Sequence, residues 1–83
     1  MQLAKYVKFR EEKFGGVLFE TKSEKVYTLT PTAAAVVQEI SAGCAAEEIA
    51  PRLMKRFDGP AAAVEREVTA FIAELRDKGL VEG

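Results

Sequence analysis

The sequence predicts an α+β domain, a winged helix-turn-helix-like unit in which a three-stranded antiparallel sheet is followed by three helices. Three observations predict it. "VLFETK" and "VYTLT" are rich in β-branched and aromatic residues and are joined by the polar turn Lys22 to Lys25, as in a hairpin. At Thr30-Pro31 the chain switches from strand to helical spacing. Further on, Val64, Val68, Phe71, Ile72 and Leu75 recur at i, i+4, i+7, i+8 and i+11, the stripe of an amphipathic helix.

The elements follow in order. "AKYVKF", Ala4 to Phe9, is a first strand with Tyr6 and Val7 as its apolar residues, and "REEKFGG" is the connection after it, ending in Gly15-Gly16. In the second strand Val17, Phe19 and Thr21 point to one face and Leu18 and Glu20 to the other. It pairs, as Val17 to Thr21, with a third strand, Val26 to Thr30. Thr30 is placed to cap the first free N–H groups of a helix, and Pro31 suits the first helical position because it has no N–H to leave unpaired. The first helix is expected over Pro31 to Ala42, burying Ala33, Val36, Val37 and Ile40 and stopping at Gly43. The second runs from Ala46 to Phe57, with Ile49, Leu53 and Phe57 on its inner side. Pro51 requires that helix to begin nearer Glu48 or to bend. Asp58, Gly59 and Pro60 separate it from the third helix, which Gly79 closes, and Leu80 and Val81 tuck back as an apolar end. Gly43-Cys44-Ala45 is then the turn of the helix-turn-helix.

Composition narrows the function. The 83 residues are one domain, residues 1–83, and a chain of this size buries only about 60% of its unfolded surface, which leaves little room for a deep catalytic cavity. Hydrophobic residues at 48% and charged residues at 30% are those of an ordinary soluble globule, and since no apolar run has the length of a signal or membrane segment a cytoplasmic protein is expected. The net charge is −1, and residues 31–83 carry six basic against nine acidic side chains. A winged-helix DNA-binding protein is the alternative that the architecture offers. The outward residues of the third helix, however, include Glu65, Glu67, Glu74 and Asp77, which phosphates would repel. The absence of histidine and the single Cys44 remove the commonest general base, the His-containing zinc sites and any internal disulfide. The expectation is therefore no enzyme, no metal, no cofactor, no nucleic acid and no membrane. Cys44 reads as a small filler near a helix start, since no basic residue adjoins it in sequence.

A binding module remains. A strand that runs straight into a helix belongs at a sheet margin, where its free N–H and C=O groups can accept an extended peptide. The expected backbone contacts are Val26, Tyr27, Thr28 and Leu29, with Val64, Glu67, Val68 and Phe71 of the third helix supplying specificity. The plainer reading of Val64, Val68 and Phe71 is that they are core. A homodimer is the other product of such an edge.

Leu29-Thr30-Pro31 before the first helix, Gly43, the Glu48-Ile49 pair, and Phe71, Leu75, Gly79, Leu80 at the end follow one another over Val17 to Val81 in an order that resembles the PqqD family. "REEKFGG" looks more like the mycofactocin-type relatives than the pyrroloquinoline-quinone ones. The resemblance implies a RiPP recognition element. In that role the domain is a peptide chaperone that binds the leader of a ribosomally synthesised precursor peptide by strand addition and presents it to a radical SAM enzyme. The leader would lie on Val26 to Leu29 and against the exposed edge of Val64 to Phe71. Two departures from the family pattern are Ala45, where a capping Ser or Thr is expected, and Pro51.

Overall fold

The described residues of the computed structural model, 1–56 and 59–82, form β1 (Gln2–Leu3), β2 (Val7–Glu12), β3 (Gly15–Glu20), β4 (Lys25–Leu29), α1 (Pro31–Ser41), α2 (Ala46–Met54), α3 (Ala61–Asp77) and β5 (Val81–Glu82). Strands β2, β3 and β4 make one antiparallel sheet in that spatial order. Phe9, Leu18 and Tyr27 stand in one cross-strand row, so all three present the same face. The helices cover that face. Leu18 at its centre is fully buried together with Val36, Val37 and Ile40 of α1, Ile49 and Leu53 of α2, Val68 of α3 and Leu80. The opposite face is more open, and Val26 there is 59% exposed.

Two differences from the sequence reading concern the sheet. The first strand is β2, which begins at Val7 and runs through Arg10, Glu11 and Glu12, so most of "REEKFGG" is strand and only Lys13-Phe14 turns. Charged residues are admitted because β2 is a sheet margin whose side chains largely face water. Secondly, β1 and β5 pair across the whole chain, Gln2 opposite Glu82 and Leu3 opposite Val81, a second small sheet that no local pattern announces. The tucked-back Leu80 and Val81 belong to this closure, which the Ala4 N–H to Leu80 C=O bond of 2.9 Å extends.

The helix boundaries follow their caps. Thr30 is extended and its hydroxyl accepts from the Ala33 N–H at 3.2 Å, with Pro31 first in α1. α1 and α3 end in the same closure: Cys44 N–H to Glu39 C=O (3.1 Å) with Gly43 N–H to Ile40 C=O (3.0 Å), and Leu80 N–H to Leu75 C=O (2.9 Å) with Gly79 N–H to Arg76 C=O (3.1 Å). Gly43 and Gly79 hold the left-handed position each closure needs, at φ 90 and 71. α2 starts at Ala46 despite Pro51, and ends at Met54 rather than at Phe57, which lies outside the described residues, as does Asp58. Ala45 has no side-chain oxygen with which to cap it. Glu48 accepts from the Ala45 N–H at 3.3 Å, half of a reciprocal cap.

Glu39, 8% exposed, ties α1 to α2. Its carboxylate accepts from Arg52 Nε at 2.7 Å, from the Cys44 thiol at 3.5 Å, and faces Arg56 at 3.5 Å. Replacing Glu39 by alanine is expected to remove about 1–2 kcal/mol, since charge-assisted bonds are lost while the arginines can turn to water. Urea unfolding with a lower midpoint and an unchanged slope is the readout.

Candidate functional site

β4 lies at the margin of its sheet, with β3 on one flank and no strand on the other among the described residues. Which of its backbone groups face the open flank follows from one bond. The Thr21 N–H donates to the Tyr6 carbonyl at 2.9 Å, so this amide, just past the end of β3, is turned towards β2. Amides along a strand alternate sides, so those of Phe19 and Val17 turn the same way, and those of Glu20, Leu18 and Gly16 turn towards β4. Their partners Lys25, Tyr27 and Leu29 are thus bonded to β3. Val26 and Thr28 direct their N–H and C=O groups outward, two donors and two acceptors along the free edge.

Beside that edge, β4, the start of α1 and α3 enclose an open groove of ≈ 340 Å³, lined among others by Leu29, Ala33, Glu67, Ala70, Phe71 and Glu74. A smaller recess of ≈ 110 Å³ shares Thr28, Leu29, Phe71 and Glu74 with it and is completed by Tyr27, Leu75 and Lys78. The groove exists because α1 and α3 present alanines and threonines here: Thr32, Ala33 and Ala70 leave a gap that larger side chains would fill. Charges line the α3 wall. Glu74 and Lys78 lie 3.9 Å apart, and the Lys78 ammonium sits 5.9 Å from the Tyr27 ring centre.

The residues singled out from the sequence divide. Val26, Tyr27, Thr28 and Leu29 form the edge strand, Tyr27 and Leu29 turned to the helical face and Val26 and Thr28 to the other. Glu67 and Phe71 line the groove. Val68, 1% exposed, is core, and Val64 is half-buried against the core, and neither lines groove or recess. Thr30, Thr32, Ala33, Ala70, Glu74 and Lys78 were not foreseen. Glu74 was accessible, being seven residues from Glu67 and therefore on its face of the helix.

Among the described residues no group of three or more His, Cys, Asp or Glu side chains could hold a metal ion, and no helix is long and apolar enough to cross a membrane. Burial and the hydrogen bond to Glu39 push the Cys44 thiol above its ordinary range, with Arg52 pulling the other way.

Two solved structures share this fold. One is TbiB1 in complex with the TbiA(beta) leader peptide, with 22% identity, TM-score 0.85, and cover of 100% of this chain and 96% of that one. The other is a lasso peptide synthetase B1 complexed with the leader peptide, with 23% identity, TM-score 0.80, and cover of 99% and 96%. No curated protein matches the chain. The family model described as coenzyme PQQ synthesis protein D matches residues 15–81, a span that contains the edge strand, both walls of the groove and all three helices, and the chain belongs to the PqqD family.

Proposed function

We propose that the chain is a non-catalytic peptide chaperone. It takes the leader of a ribosomally synthesised precursor as a strand added to β4 and presents it to a modifying enzyme of the radical SAM type. The observation that carries this reading is the free edge itself: the outward groups of Val26 and Thr28 stand directly beside an apolar groove. Family membership and the leader-peptide complexes of two proteins of the same fold support it. Val26 and Thr28 act through their backbone, Tyr27, Leu29, Phe71 and Glu67 through their side chains, and Val64 and Val68 hold α3 in place.

Magnitudes agree with a usable affinity. Four strand-type hydrogen bonds at about 0.5–1.5 kcal/mol each, with one or two apolar anchors at about 1.5–3, exceed the roughly 2–5 needed to order a flexible leader. At the middle of these ranges the surplus is about 4 kcal/mol, and the micromolar range, about −8 kcal/mol, requires both anchors and contacts near the upper end of their ranges.

Calorimetry with the leader of a precursor encoded beside this chain's gene tests the reading. Micromolar binding at one site per chain is expected, and no binding at 100 µM, on the order of a −5.5 kcal/mol limit, would sink it. Sedimentation velocity with and without that leader separates peptide capture from pairing of two copies through the same edge, since a dimer using β4 would dissociate as leader binds.

A further inference from the structure

We infer that the peptide this groove takes carries a Lys or Arg close to its apolar anchor, on the side facing the start of α3, with Glu67 as its partner. The inference rests on the peptide-binding reading above and specifies the peptide's chemistry. Guest residues opposite Tyr27 and Leu29 share the face of those two side chains and lie about 7 Å apart. The one opposite Tyr27 meets the smaller recess, whose charges already answer one another: Glu74 faces Lys78 at 3.9 Å, and the Lys78 ammonium lies over the Tyr27 ring. The one opposite Leu29 meets the larger groove and its apolar wall of Leu29, Ala33, Ala70 and Phe71.

Glu67 stands one helical turn from Phe71, about 6 Å nearer the start of α3. It lines the same groove, where no basic side chain among the described residues does. Among the described residues it has no hydrogen-bond or ion-pair partner. A guest laid over this wall strips water from the carboxylate. A neutral guest leaves it uncompensated, an acidic one adds repulsion, and a basic one supplies the missing partner. Discrimination therefore comes from rejection as well as attraction. That offset of about 6 Å along α3 matches about two residues of extended guest, so the basic residue falls within three positions of the anchor.

The test is a display library of random 14-residue peptides selected against the immobilised full chain, in parallel with Glu67→Lys and Thr28→Pro. Peptides enriched on the native chain and lost on Thr28→Pro are expected to pair an apolar residue with Lys or Arg within three positions. On Glu67→Lys the apolar residue should persist while the charged one turns to Asp or Glu. For the best peptide, calorimetry should show about fivefold weaker binding for each single charge swap and recovery for the double swap, the pattern of a direct pair. Thr28→Pro-sensitive peptides without a basic bias, or with a bias that Glu67→Lys leaves unaltered, overturn this inference and leave the peptide-binding reading standing. Enrichment of no Thr28→Pro-sensitive peptide overturns both.

Discussion

A chain with Thr28→Pro is expected to fold normally and to bind its leader about ten- to a hundredfold more weakly. The Thr28 amide points away from β3, so proline removes no bond of the resting sheet. Tyr27 before it is already extended, the conformation a residue preceding proline prefers. The Thr28 side chain is exposed, and its loss costs little packing. On the free flank the consequences reverse. The added strand loses a donor, its carbonyl at that position is buried without a partner, and the proline ring stands where the guest backbone must approach. Leaving that carbonyl buried without its donor costs about 1–3 kcal/mol, and ten- to a hundredfold corresponds to about 1.4–2.8 kcal/mol. Thr28→Ala keeps the amide and should stay within about twofold of the native affinity, since only an exposed side chain changes. The measurement is calorimetry of both variants beside thermal melts. Unchanged affinity in Thr28→Pro, with an intact melt, would remove β4 from the binding mode.

Much of this edge was legible because its signals are local. Thr30 and Pro31 announce a strand that becomes a helix without a loop, and the cap at 3.2 Å is the contact those residue types make. The hairpin is legible in the alternation of its two strands, which fixes their faces, whereas the register that sets Leu18 opposite Tyr27 comes from the turn and the packing. The stripe on α3 is equally local, but periodicity marks one broad apolar face and does not say which flank meets core and which meets a gap. Val68 and Phe71 therefore read alike, although one is fully buried and the other lines the groove. What separates them is the smallness of Ala33 on α1 beside Ala70 and Phe71 of α3, a neighbourhood that only the packing creates. The failures at β1, β2 and β5 have related causes. Arg10, Glu11 and Glu12 look like a loop because a marginal strand can carry charge on its wet face, and the pairing of Leu3 with Val81 joins residues with no sequence relation. Gly15-Gly16 reads as the end of a connection, whereas both lie buried within β3, Gly16 against the Phe9 ring and Gly15 against the strand-to-helix junction, neighbours that no local pattern reveals.

That junction makes Gly15→Ala the most damaging single-methyl change expected here. Gly15 has φ 143, a conformation side chains rarely adopt, and a Cβ built on it would lie 2.2 Å from the Leu29 carbonyl oxygen, 2.7 Å from Thr30 C and 2.9 Å from Pro31 N. All three neighbours are backbone, and they are the atoms through which β4 becomes α1. No rotamer change relieves such an overlap, so the strand-to-helix junction must lift. A loss of about 3–5 kcal/mol is expected, a large part of the roughly 4–12 kcal/mol available to a domain of this length. Gly43→Ala is the control. Its φ of 90 is also positive but nothing lies within 4 Å of the added Cβ, so only backbone strain of about 1–2 kcal/mol applies. Urea unfolding of the two variants separates overlap from strain, and equal losses would remove the close approach at Gly15 from the account. Function should follow the same ordering. Leu29 and Thr30 line the groove, so raising the junction displaces both its floor and the end of the free edge. Under conditions where Gly15→Ala remains folded, it is expected to bind leader more weakly than Gly43→Ala, whose site of change lies at the far end of α1 from the groove.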